Sequence, residues 1–256
     1  MTAAKCSSPV RAFQLEVCVE TVADARAAHA GGADRLEVCS ALDLGGLTPS
    51  VGLVEQIQRL VPLPLWIMIR PRGGDFVYTA DELDVMIRDL GVFLPLQPAG
   101  FVLGVLNSDG TINRQACQRL QEACDGKPLV FHRAFDWTPN PSAALKTLID
   151  LGFRRILTSG GEPTALAGQK TIARLQARAA GRIEILPCGR LRAEHLADVI
   201  QTTGCNQIHG SFSEPLCEPT LLRFQGYPQR FHVSQDLVAA ARSELDRLAT
   251  LLSCPS

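Results

Sequence analysis

Leu65-Trp66-Ile67-Met68-Ile69-Arg70-Pro71-Arg72-Gly73-Gly74-Asp75-Phe76-Val77-Tyr78 begins as an apolar strand and within a few residues becomes a loop of fixed charges and glycines. Pro62 and Pro64 bound the strand on its N-terminal side. A helix then starts near Thr79, with Asp81 and Glu82 in its first turn, where acids suit the helix N-terminus. This helix is expected to stop before Gly91. The stretch is therefore one strand, one polar loop and one helix. Whether the chain repeats that unit decides its fold.

It repeats it eight times. Residues 13–19 form a first strand, with a helix over 22–30 capped by Thr21 and stopped by Gly31-Gly32. Residues 34–39 lead through the loop 40–47 to a helix opened by Thr48-Pro49 and running to 60. After 65–70 come strands at 100–106, 129–133, 155–158, 182–186 and 207–209. The helices following the first four of these lie at 112–123, 141–151, 164–179 and 192–201. A looser segment rich in Pro, Ser and Phe precedes a last amphipathic helix over 236–252. Strands alternating with helices imply a parallel sheet, and eight short units in 256 residues imply an α/β chain closed as a (β/α)8 TIM barrel;. An open doubly wound sheet would want Gly-x-Gly-x-x-Gly after the first strand, and Cys18-Val19-Glu20-Thr21 is not that. The expected organisation is one barrel domain over 13–256 with an extra C-terminal helix, preceded by a disordered or extended segment, 1–12.

Composition narrows the function. The net charge of −1 offers no footprint for nucleic acid;. The apolar runs are strand-length, too short to span a membrane. Residues 1–10 carry one lysine and no apolar stretch of the kind a secretory signal needs. A cytoplasmic protein is expected. The nine cysteines include no Cys-x-x-Cys pair, which disfavours a disulfide framework or a zinc finger;.

Polar residues gather at the C-terminal strand ends, the face where such barrels carry their sites. Leu15-Glu16-Val17-Cys18 and Leu36-Glu37-Val38-Cys39 form a short internal repeat. Alternation turns its leucines and valines toward the helices and Glu16, Cys18, Glu37 and Cys39 into the barrel. With neighbouring strands about 4.8 Å apart, the two thiols could approach a soft two-coordinate ion such as Cu(I). They could equally fill a narrow barrel layer. Glu16 and Glu37 need cations nearby, for which Arg70, Arg72 and Arg133 are candidates. Glu16, Glu37, His132 and His209 are candidates for proton transfer. Arg70, Arg72 and Arg133, with Asp75, Asp136 and Ser211 beside them and the turn Thr158-Ser159-Gly160-Gly161, are candidates for holding a small anion. The opposite strand ends read as unremarkable.

Taken together, Glu16-Val17-Cys18, residues 32–39, Gly45-Gly46-Leu47-Thr48-Pro49-Ser50, residues 68–76, residues 131–136 and Arg155-Ile156-Leu157-Thr158-Ser159-Gly160 resemble the copper homeostasis protein CutC family. The resemblance implies a TIM-type barrel, cytoplasmic location, self-association as a dimer or tetramer, and a link to copper handling. It also implies that Cys18 and Cys39 match the cysteines assigned to Cu(I) in some members. Two positions depart from the family pattern. Leu186-Pro187-Cys188-Gly189-Arg190 replaces a glycine-rich turn, and Gln207 stands where a glutamate is usual. Two functions follow as expectations. One is copper homeostasis through Cu(I) on the thiolates of Cys18 and Cys39. The alternative is an enzyme whose arginines hold a small phosphorylated or sugar-like anion while Glu37 and His132 move protons.

Overall fold

The structure, a computed structural model, describes residues 11–216 and 229–253. The expected segment 1–12 therefore lies almost wholly outside the described residues. Eight parallel strands alternate with helices: β1 (Gln14–Val19), α1 (Val22–Ala30), β2 (Arg35–Val38), α2 (Val51–Leu60), β3 (Leu65–Met68), α3 (Ala80–Phe93), β4 (Gly100–Leu103), α4 (Arg114–Ala123), β5 (Leu129–Phe131), α5 (Pro141–Asp150), β6 (Arg155–Thr158), α6 (Ala165–Ala179), β7 (Glu184–Pro187), α7 (Ala193–Thr203) and β8 (Gln207–Gly210). The strand order β7-β6-β5-β4-β3-β2-β1-β8 brings β7 and β8 side by side, so the sheet is a nearly closed TIM barrel. A short antiparallel pair, β9 (Ser213–Pro215) and β10 (Phe231–Val233), follows, and then α8 (Gln235–Ser253).

Local chemistry explains most element boundaries. The side chains of Thr21, Thr164, Asn113 and Asn140 cap α1, α6, α4 and α5 by accepting a backbone N–H of the first turn;. Thr79 and Glu82 cap α3 reciprocally;. Three expectations shift. Ser50 caps α2, while the Thr48 hydroxyl binds the backbone N–H and C=O of Arg70, so Thr48-Pro49 stays outside the helix. Helix α3 continues through Gly91, which has open space around it. The segment read as loose after β8 holds the β9–β10 pair, which the sequence hid because its two short strands are far apart.

The core divides at the sheet. Leu15, Val17, Leu36 and Val38 join the large cluster between strands and helices. Cys39, Trp66, Met68, Val102, Val130, Leu157, Leu186 and Cys188 form a second cluster inside the barrel. Close packing here leaves little slack. A Cβ on Gly100 would lie 2.3 Å from the Trp66 ring and 2.5 Å from the Pro128 carbonyl oxygen, so Gly100→Ala should cost about 1–3 kcal/mol through overpacking. Gly52, in α2, has nothing within 4 Å, and Gly52→Ala should stabilise by about 0.5–1 kcal/mol. Denaturant midpoints of the two variants should move in opposite directions.

Candidate functional site

The strand register builds the site. On β1 and β2, Glu16 lies level with Arg35 and Cys18 with Glu37, so the two Leu-Glu-Val-Cys repeats are offset by two residues. Both repeats keep their inward parity, because side chains alternate with a period of two, but like residues are no longer neighbours. On the other side of β1, Glu16 lies level with His209 of β8. Cys18, Glu37 and His209, all buried, thus converge, with one donor atom from each lying within 4.8 Å of the others.

Glu16 is the floor beneath them. Its carboxylate accepts from Arg35 Nε, lies 3.5 Å from Arg155 Nη1 and takes a 2.8 Å hydrogen bond from His209 Nδ1. Burial opposes ionisation of Glu16, but Arg35, His209 and Arg155 outweigh it and hold its pKa far below the ordinary value;. The cations expected from the rim therefore come from β2 and β6 instead. The network extends across the β7–β8 seam. Arg155 Nε donates to Glu184 over 2.9 Å, and Gln207 accepts from Arg35 Nη2 at 2.7 Å while its amide donates to Glu184 at 3.3 Å. An amide can accept on one side and donate on the other, so Gln207 suits a place between an arginine and a carboxylate. The N-terminal end of the barrel, expected to be unremarkable, thus holds a buried ionic layer. The inward parity of Arg35 and Arg155 was the available sequence signal.

Above this floor, burial pushes the Cys18 thiol up, and burial together with Glu37 pushes Cys39 well up. Burial works against a charged His209, but Glu37, Cys18 and Glu16 raise its pKa well above the usual range. Burial also raises Glu37, against the pull of His209. His209 Nε2 and Glu37 Oε2 are 3.8 Å apart, too far for a direct hydrogen bond;. Cys39 Sγ donates to Glu37 Oε2 over 3.4 Å, whereas Glu37 Oε1 is buried with no hydrogen-bond partner among the described residues. Cys18 and Ser211 also line a cavity of about 560 Å³ bounded by Glu20, Asp43, Phe231 and Val233, so the cluster has a way out.

The other candidates are placed differently. Arg70 is buried. Its Nη atoms donate to the carbonyls of Leu44 (2.8 Å), Gly46 (3.2 Å) and Gly74 (2.8 Å), and its guanidinium lies 4.7 Å over the Phe76 ring. It clasps two rim loops. Arg72 pairs with Glu82 and with Asp75, the latter at 3.0 Å, and donates to the Val77 carbonyl. The turn Thr158 to Gly161, read as an anion cradle, encloses a carboxylate of the protein itself. Asp136 accepts from the Thr158 hydroxyl, from the Ser159 N–H and hydroxyl and from the Gly161 N–H, and pairs with Arg133 at 3.1 Å. Gly160 supports this turn with a positive φ that leaves Gly168 room to pack. Cys188 is buried in the inner cluster, and Arg190 is exposed.

His132 is also poorly suited to proton transfer, being buried and held neutral. Its Nδ1 accepts the Ala134 N–H at 3.2 Å, its Nε2 is buried without a partner among the described residues, and its ring lies 4.9 Å from that of Phe76. Burial first, and then Arg70, push its pKa down to about 3.

The fold and the cluster define a TIM barrel with a buried thiol–carboxylate–imidazole group that could hold a metal ion. Comparison with known proteins gives the family. The CutC family model matches residues 13–214, and the chain belongs to that family. A human copper homeostasis protein cutC homolog is 43% identical over 199 residues, covering 78% of this chain and 73% of that one. The Caenorhabditis elegans homolog is 42% identical over 202 residues, covering 78% and 81%. A solved CutC structure from Streptococcus agalactiae superposes with a TM-score of 0.75 at 35% identity over 78% of this chain and 98% of that one. A Thermotoga maritima phosphoribosylanthranilate isomerase, 13% identical with a TM-score of 0.57 over 92% of this chain and 99% of that one, shares the fold alone.

The state of His132 predicts an acid response. Its folded pKa lies below the unfolded value near 6.5, so the unfolded chain binds the extra proton;. The stability that neutral His132 contributes is complete above about pH 6.5 and is lost as pH falls toward 3. Between pH 7 and 4.5 the loss is roughly 2–3 kcal/mol. His132→Asn keeps an acceptor for the Ala134 N–H and does not titrate in this range. Denaturant unfolding at the two pH values should show a smaller drop for the variant than for the parent. Equal drops would mean that the fold leaves the proton affinity of His132 where it is in the unfolded chain.

Proposed function

We propose that this chain serves copper homeostasis as a cytoplasmic, self-associating protein that takes up Cu(I) as cargo at the C-terminal rim of the barrel. Cys18 and Cys39 would supply thiolates, the ligands this soft ion prefers, with His209 alongside them. The observation that carries the reading is the convergence of Cys18 with His209 and Glu37, with the Cys39 thiol bonded to Glu37, in a family whose relatives are described as copper homeostasis proteins. Dry surroundings favour the reduced, thiolate-bound ion over hydrated competitors. The small-anion enzyme reading finds less support. Arg70 and Arg72 bind loop carbonyls and acids, Asp136 fills the turn after β6, and burial and Arg70 hold His132 neutral.

Competition against a Cu(I) chelator under anaerobic, reducing conditions tests the proposal. The Cys18→Ser, Cys39→Ser double variant should lose more affinity than the roughly 10–100-fold that loss of an outer-shell partner costs. Arg72→Ala should bind like the parent. Parent affinity in the double variant would remove this site.

A further inference from the structure

We propose that Cys18, Glu37 and His209 form a site for a borderline divalent cation of the zinc class, with one coordination position left open toward the cavity that Cys18 and Ser211 line. The site shares Cys18 with the Cu(I) reading but does not use its second thiolate.

The donor set points to this ion. A thiolate, an imidazole nitrogen and a carboxylate oxygen within 4.8 Å of one another are three ligands of the kinds zinc takes together;. A carboxylate adds little to Cu(I), which is soft, and much to a harder divalent ion. Charge points the same way. One thiolate, one carboxylate and a neutral imidazole around a divalent ion sum to zero, and a buried centre tolerates neutrality better than residual charge. Glu37 Oε1 is the second, independent sign. It is an acceptor on a residue only 3% exposed, and among the described residues nothing donates to it. Buried polar atoms are almost always satisfied, so an orphan beside two other ligand atoms marks the place of a missing partner.

The surroundings orient the ligands. Glu16 accepts the Nδ1 proton of His209 at 2.8 Å, which fixes the tautomer and leaves Nε2 to face Glu37 and Cys18. Glu16 is itself fixed by Arg35 and Arg155, so the imidazole stands on a rigid base. Cys39 donates to Glu37 Oε2 over 3.4 Å. Two of the three ligands therefore carry outer partners of the kind that orient and tune metal ligands, and Cys39 acts here as a donor to a ligand, not as a ligand. Among the described residues three protein donors converge, and the cavity of about 560 Å³ reaches Cys18. Structural zinc sites are closed by four protein ligands, whereas three ligands and access to a cavity leave room for water or a small molecule.

Co(II) added to the reduced full-length chain tests this, because a tetrahedral thiolate site gives intense visible bands and a sulfur-to-cobalt charge-transfer band. The parent should show both, Zn(II) should bleach them, and added azide should shift the visible bands by entering the open position. Cys18→Ser should abolish the charge-transfer band, and Glu37→Gln should weaken Co(II) binding by roughly 10–100-fold or more. Cys39→Ser, which keeps a donor to Glu37, should retain the band. A pale six-coordinate spectrum in the parent, a charge-transfer band that survives in Cys18→Ser, or parent-like Co(II) affinity in Glu37→Gln would overturn the site. Indifference to azide would overturn the open position. Circular dichroism of each variant checks folding, and if Glu37→Gln fails to fold, Cys18→Ser and the azide response decide. Cu(I) competition on the same variants separates the two readings, since Cys39→Ser should impair Cu(I) alone and Glu37→Gln should impair Co(II) alone.

Discussion

A single buried carboxylate organises this barrel. Glu16 sits on β1 in the interior, where an unpaired charge would be prohibitively expensive;. It is stable there because Arg35 from β2, Arg155 from β6 and His209 from β8 meet it from three sides. Arg155 also lies 4.8 Å over the Trp66 ring on β3, so the ionic floor is locked into the apolar layer of the same interior. Removing one member of such a network leaves the others charged and unpaired, at a cost of about 3–5 kcal/mol. The arrangement joins strands distant in sequence and bridges the seam where β7 and β8 are not laddered together. The same carboxylate fixes the His209 ring, so the floor of the fold is also the base of the candidate metal centre.

The rim shows how similar residues can serve opposite ends. Arg70 and Arg72 carry charges that in isolation suit an anion, yet their donors meet backbone carbonyls of the β2 and β3 loops and the acids around the α3 cap. The turn after β6 offers N–H groups as an anion cradle would, and Asp136 takes them. Both features stiffen the face of the barrel. The unsatisfied Glu37 Oε1 and the convergent ligands lie in the sector between β8, β1 and β2, which opens to the cavity.

Much of the molecule was legible before any coordinates. The alternation of strands and helices, the cap at Thr21, the helix starts near Thr79 and Thr164, and the inward parity of Glu16, Cys18, Glu37 and Cys39 rest on short-range rules, and local structure obeys them;. Thr48-Pro49 misled because a capping residue followed by proline fits a helix start, while tertiary contact with Arg70 claimed the threonine first. Arg35 and Arg155 were overlooked because they lie at strand N-termini, where no site was expected, although their inward parity marked them as buried charges in need of a partner.

The sequence by itself determined the class of fold, the direction in which each strand residue points and the residue types available at the barrel's C-terminal face. Those depend on a period of two, a period of 3.6 and the chemistry of caps, all read within a few neighbours. Only the tertiary structure decided who meets whom. Closing a barrel requires its strands to be staggered, and an offset of two residues between β1 and β2 keeps every side chain on its face while exchanging its neighbour;. Aligned repeats would have set Glu16 beside Glu37 and Cys18 beside Cys39. The stagger sets Glu16 beside Arg35 and Cys18 beside Glu37, which separates two buried like charges and brings a thiol, a carboxylate and an imidazole to one point.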